Sequence, residues 1–238
     1  MYKGCSIAVI LPAWNEAGKL RPTIERMPKP LLDCVVVVDD GSTDTTAEEA
    51  EGAGAVVLRH AQNQGVGAAI RTGIDWCTQH GYDLTGIMAA DNQDFPEELE
   101  RLASAVVDDG VDFVQGSRYV AGGRRLNQPL ARTLMTRGYS LFFSLCVLRW
   151  ITDATNGYKL FRTDMCRNMN LNQEWLDRYE LEPYLLYQAV RSGRPFREVP
   201  VTKFYPPDRS VGYTKMRAWR DWWRISRPMV LLTLRLRH

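Results

Sequence analysis

No stretch of this chain reaches the roughly 18 to 20 consecutive apolar residues that a membrane-spanning helix needs. The first apolar run, Ile7 to Leu11, stops at Pro12-Ala13-Trp14-Asn15-Glu16, which reads as a strand and a loop and not as a signal peptide. Cysteine is sparse: Cys5, Cys34, Cys77, Cys146 and Cys166 form no CxxC pair, so they read as reduced core thiols of a cytosolic protein. The only histidines, His60, His80 and His238, lack HxxxH or HExxH spacing, which argues against a histidine zinc site or a histidine-centred triad. Charge of one sign is missing too; a net +2 gives no overall basic footprint for nucleic acid. No internal repeat or low-complexity segment occurs. What is present is 238 residues with 45% apolar content, enough for one large core.

Strand-like runs at Ser6 to Leu11, Val35 to Val38, Ala55 to Leu58, Leu84 to Met88 and Val111 to Gly116 alternate with helical stretches at Lys19 to Arg26, Thr45 to Gly52, Gly67 to His80 and Pro96 to Val107. That alternation predicts an α/β fold with a Rossmann-like, doubly wound, mostly parallel sheet and helices on both faces. After Gly122-Gly123 a long helix is expected over Pro129 to Trp150, then a turn at Thr155 to Gly157, a helix near Leu181 to Arg191 and a strand over Arg197 to Tyr205. The second half looks appended to the sheet, and Pro206-Pro207 precedes a basic tail.

The polar residues collect where strands end, the edge at which open α/β sheets bind ligands. Asp39 and Asp40 close the Cys34 to Val38 run and lead into Gly41-Ser42-Thr43-Asp44, either a ligand seat or an ordinary helix-capping turn. Pro12, Asn15 and Glu16 leave the first strand toward the same edge. Asn63-Gln64-Gly65-Val66-Gly67 fails the dinucleotide fingerprint, because Ile70 stands where a third glycine belongs; it suits either a pyrophosphate or close helix packing. Asp91, Gln93 and Asp94 follow the Leu84 to Met88 run and offer oxygen ligands suited to Mg²⁺ or Mn²⁺, or alternatively a capping loop before Pro96.

In order and spacing these segments, together with Gly116-Ser117-Arg118-Tyr119, Asn156-Gly157-Tyr158-Lys159, Glu198-Val199-Pro200 and Arg209-x-x-Gly212-x-x-Lys215, resemble the family-two glycosyltransferases of GT-A fold. The likeness is greatest to their dolichyl- or polyprenyl-phosphate mannose synthase branch and covers nearly the whole chain. It implies a GT-A domain over 1–207, with a nucleotide-sugar half (1–117) and an acceptor-side half (118–207), followed by a basic amphipathic segment at 208–238. It further implies a GDP- or UDP-hexose donor at Pro12, Asn15, Glu16, Asp39, Asp40, Gly65 and Asp91. A polyprenyl phosphate or other lipid-linked acceptor would be held by Arg118, Arg132, Thr136, Arg209 and Lys215. The family's Asp-x-Asp metal motif has Ala89 at its first position here, leaving Asp91, with Gln93 and Asp94 as further ligands of Mg²⁺ or Mn²⁺.

The expected reaction is an inverting displacement at the anomeric carbon. A phosphate nucleophile needs no general base, since its second pKa is about 6. A sugar-hydroxyl acceptor would need one, and Asp153, Glu180 and Glu182 are the candidates. Loss of catalysis, leaving a nucleotide-sugar-binding protein, is the reading that Ala89 motivates. The arginines and tryptophans from Lys215 onward suggest peripheral contact with the cytoplasmic face of a membrane, with Leu134 to Trp150 as a second candidate surface.

Overall fold

The structure, a computed structural model, describes residues 1–207, 220–234 and 236. Its main sheet contains β1 (Ile7–Ala13), β2 (Cys34–Asp39), β3 (Val56–Arg59), β4 (Leu84–Ile87), β5 (Phe113–Ser117), β7 (Lys159–Arg162) and β8 (Phe196–Pro200), in the order β3-β2-β1-β4-β7-β5-β8. A separate two-stranded ribbon pairs β6 (Arg124–Leu126) with β9 (Thr202–Phe204). The helices are α1 (Leu20–Glu25), α2 (Thr46–Gly52), α3 (Val66–Gln79), α4 (Leu99–Val107), α5 (Leu130–Val147), α6 (Leu181–Arg191) and α7 (Arg220–Thr233).

Strand alternation sorts the core into two layers. Ala8, Ile10, Val36 and Val38 face one side, where residues of α3, α5, α6 and α7 cover them. Ile7, Val9, Leu11 and Val37 face the other, against α1, α2 and α4. Burial on both faces explains why β1 and β2 are continuous apolar runs.

Two expectations change. The second half is not appended: β7 inserts between β4 and β5 and runs antiparallel to both, in an otherwise parallel sheet. The strand expected over Arg197 to Tyr205 is two strands, because β8 pairs with β5 and β9 leaves at Val201 to pair with β6.

The tail also differs. Met229 and Leu232 of α7 are buried in the core, and Tyr139 of α5 donates its hydroxyl to the Ile225 carbonyl at 2.9 Å. The apolar side of α7 therefore faces protein. Instead α5 and its C-cap expose Leu130, Leu134, Leu141, Leu145 and Leu148, whose intervals keep them on one helical face. Among the described residues no helix is long and apolar enough to cross a membrane.

Candidate active site

The strand order fixes which residues meet. β1 lies between β2 and β4, so the ends carrying Asp39, Asn15 and Asp91 are adjacent. Because β7 is antiparallel, its start at Lys159 reaches the same edge, beside the end of β5 that leads into Arg118. The strand order reverses between β1 and β4, the usual ligand crevice of such sheets.

The β1 and β2 loops brace each other. The Asn15 amide donates to Ser42 Oγ at 2.9 Å, and the Thr43 amide donates back to Asn15 Oδ1 at 2.9 Å. The Glu16 amide donates to Thr46 Oγ1 at 2.8 Å. Asn15 itself sits at φ 52°, a left-handed conformation that asparagine tolerates best after glycine. Asp39 accepts the Ser42 amide at 3.0 Å, and Gly41 at φ 69° completes the turn, where a Cβ would lie 2.6 Å from the Gln62 backbone.

Asp40 turns toward protein. Its oxygens accept the Gln64 and Gly65 amides at 2.9 and 2.8 Å, and His60 Nδ1 lies 2.7 Å away. It therefore shapes the glycine loop, and the donor-binding expectation for this edge rests on Asp39, Asn15 and Glu16. Gly65 and Gly67 in turn pack on the 176–178 backbone. A Cβ at Gly67 would lie 1.9 Å from the Leu176 carbonyl oxygen, so Gly67→Ala is expected to cost more than about 2 kcal/mol, read as a lower denaturation midpoint.

Asp91 is partly exposed and accepts the Gln93 amide at 3.1 Å, its one side-chain hydrogen bond among the described residues. It lines a cavity of about 360 Å³ with Lys19, Arg26, Asn92 and Phe95. Asp94 is different. Lys203 Nζ lies 3.1 and 3.0 Å from its two oxygens, and both residues are buried. Burial pulls the Lys203 ammonium down, but Asp94 and Asp91 outweigh it and keep it above its ordinary value. Burial also favours the protonated form of Asp94. With the ammonium on both oxygens, the ion pair is the form that fits the geometry.

Asp91 therefore fits a Mg²⁺ or Mn²⁺ ion held chiefly by substrate phosphates, a mode that needs only one or two carboxylates. Asp94 is engaged elsewhere, the Gln93 side chain is buried, and Ala89 has no ligand atom. No cluster of three or more histidine, cysteine, aspartate or glutamate side chains suited to a metal occurs among the described residues.

On the other side of the crevice, the Arg118 guanidinium meets Asp153 through Nε and one terminal nitrogen, each at 2.7 Å. It also reaches Thr155 Oγ1 at 2.7 Å and the Tyr205 hydroxyl. Four of its five N–H donors thus go to protein, and it is 3% exposed. Burial raises Asp153, but Arg118 outweighs this and holds the carboxyl below its usual range. Glu198 sets the turn, accepting the Thr152 and Asp153 amides at 2.8 and 2.9 Å, which explains why Glu198-Val199-Pro200 travels with this site.

Arg118 is thus a buried strut with Asp153 as its counter-ion, and one N–H is left for the acceptor-phosphate role expected of it. The other proposed bases are also paired. Glu180 is buried and accepts Arg227 of α7 at 2.9 Å, with burial pushing its carboxyl up. Glu182 accepts Lys159 Nζ at 2.6 Å. Thr136 is buried with its hydroxyl 2.6 Å from the Tyr119 hydroxyl, while Arg132 stacks over Tyr205 at 5.3 Å. Arg209 and Lys215 lie outside the described residues.

Several features escape sequence reasoning. Arg125 and Arg137 converge on the face of Tyr119 at 4.6 and 5.6 Å, making a basic rim beside the exposed leucines of α5. Lys19 and Arg26 bring positive charge to the Asp91 cavity. No motif marked them; only the converging loops reveal them.

Residues 8–169 match the model of glycosyl transferase family 2. The chain belongs to that family. It is 32% identical over 216 residues to the undecaprenyl-phosphate mannosyltransferase of Micrococcus luteus, covering 88% of this chain and 87% of the relative. It is also 32% identical over 215 residues to the polyprenol monophosphomannose synthase of Mycolicibacterium smegmatis, covering 87% and 80% respectively. These relatives put this family 2 glycosyltransferase in the polyprenyl-phosphate mannose synthase branch. Its fold is GT-A, like that of glucosyl-3-phosphoglycerate synthase from Mycobacterium tuberculosis, solved with Mn²⁺, UDP and glucosyl-3-phosphoglycerate. That match has a TM-score of 0.70 at 18% identity and covers 97% of this chain and 79% of the other.

Proposed function

We propose that this glycosyltransferase moves a hexose from a nucleoside-diphosphate sugar to a polyprenyl phosphate at a membrane surface. The observation that carries the acceptor assignment is that each candidate base already faces a cation: Asp153 meets Arg118 through both oxygens, and Glu180 and Glu182 meet Arg227 and Lys159 through one oxygen each. A hydroxyl nucleophile needs a proton acceptor, whereas a phosphate monoester arrives largely anionic near neutral pH. The names of the two bacterial relatives support the same acceptor.

In this reading Asn15, Glu16 and Asp39 seat the nucleoside, and the Asp40-braced Gly65 loop shapes the adjoining wall. Asp91 faces the diphosphate, with Lys19 and Arg26 nearby offsetting its charge. Asp91 and the diphosphate would hold a Mg²⁺ or Mn²⁺ ion, which when bound stabilises the negative charge of the departing nucleotide. An acceptor phosphate oxygen forms the new bond to the anomeric carbon as the bond to the nucleoside diphosphate breaks. Arg132 meets that phosphate, and Arg118 supports the site by fixing Tyr205 and the 152–155 turn. The exposed leucines of α5, flanked by Arg125 and Arg137, suit contact with an anionic lipid surface on the cytoplasmic side.

A thermal-shift screen tests the donor half. One class of GDP- or UDP-hexose should raise the midpoint, with the rise lost in Asp39→Ala. Equal indifference to every nucleotide sugar would contradict the reading.

A further inference from the structure

Resting on the donor reading above, we infer that Lys203 withdraws Asp94 from metal binding. Asp91 is then the one carboxylate of the 91–94 loop left for a divalent cation, which enters together with the donor's diphosphate. Three observations carry the inference. Lys203 is not a surface lysine that happens to reach an acid: it is 8% exposed, and its amine touches both oxygens of an Asp94 that is 1% exposed. The contact is built into the backbone. Asp94 and Lys203 form an antiparallel bridge, the Phe204 amide donates to the Gln93 carbonyl at 2.8 Å, and β9 is held from its other side by β6. Finally, the carboxylates of Asp94 and Asp91 hold the buried Lys203 in its charged form, so a second cation at this point would meet a resident one.

The chemistry follows from the donor set. A metal ion on Asp94 would have to displace an ammonium that already satisfies both carboxylate oxygens, and would then leave that ammonium buried and unpaired. Asp91 alone is a weak site for a strongly hydrated ion. Adding a diphosphate supplies the missing oxygens without disturbing Lys203. Ala89 fits the same design, since a second carboxylate there would restore the pair that Lys203 has removed.

The test is a Mn²⁺ titration followed by the electron paramagnetic resonance of free Mn²⁺, with no sugar or acceptor present. The wild-type chain alone should bind Mn²⁺ more weakly than about 0.5 mM, with UDP or GDP tightening it. Lys203→Gln should gain roughly tenfold in affinity without nucleotide, Lys203→Arg should stay at the wild-type value, and Lys203→Gln/Asp94→Asn should lose the gain. A wild-type affinity tighter than that limit overturns the inference, as does a folded Lys203→Gln chain that binds no better. If Lys203→Gln fails to show a cooperative melt, the wild-type titration decides alone. These outcomes involve no transfer, so a chain that meets them yet moves no sugar would remove the proposed reaction and leave this inference standing.

Discussion

Replacing Asp91 by alanine is expected to lower sugar transfer by about 10²- to 10³-fold, the usual cost of losing a group aimed at charge that develops in the transition state. The size of the effect follows from what surrounds it. Asp94 is tied to Lys203 and Ala89 contributes nothing, so no second carboxylate stands ready to take over. The fold should survive, because Asp91 is partly exposed and gives up only its bond to the Gln93 amide. The midpoint of thermal unfolding is therefore expected within about 2 °C of the wild type. Initial rates of transfer measured beside melting curves check both halves; full activity in Asp91→Ala with excess EDTA present would remove Asp91 and any metal from the reaction.

The second large effect is on stability. Arg118→Met leaves Asp153, which is fully buried, without its counter-ion, and should cost about 3–5 kcal/mol, or roughly a 10 °C fall in midpoint. Arg118→Met/Asp153→Leu should recover most of that loss, because the penalty lies in the uncompensated charge and not in the absence of the pair. The pH dependence has a definite sign. Arg118 depresses the Asp153 carboxyl in the folded state, so the stability it contributes is present above the unfolded aspartate value of about 3.9 and is lost as the pH falls through the lower folded value. Denaturant midpoints of wild type and Asp153→Asn should therefore differ most near neutral pH and converge in acid.

Much of this was readable in advance where one residue type carried one physical task. β1, β2 and β4 announce themselves because a strand covered on both faces must be apolar along its length. β7 does not: four residues, Lys159-Leu160-Phe161-Arg162, are too few for a period, and its buried lysine is satisfied by Glu182 and the Asn156 carbonyl, partners no local pattern reveals. The break between β8 and β9 is hidden inside a continuous strand-like run, since what separates them is the choice of partner strand.

The site divides the same way. Asp39 and Asp91 stand out at strand ends, where carboxylates are conspicuous. Arg118 and Asp153 stand out in the sequence as an acceptor ligand and a base, but their mutual ion pair does not, because a contact across 35 residues leaves no local trace. Lys203 carries no sequence signal, since its partner is 109 residues away. For α5, sequence registers the leucines but not which face the neighbouring helices leave uncovered. The structure turns them outward while burying Met229 and Leu232 of the more conspicuous basic tail.

The most direct measurement of the central claim is incorporation of labelled hexose from its nucleotide donor into polyprenyl phosphate, set against the same prenol without its phosphate, in detergent micelles with Mn²⁺. A phosphate acceptor predicts a labelled lipid phosphodiester from the first and none from the second. Label appearing on the free prenol, or only on a sugar hydroxyl supplied in competition, would contradict it.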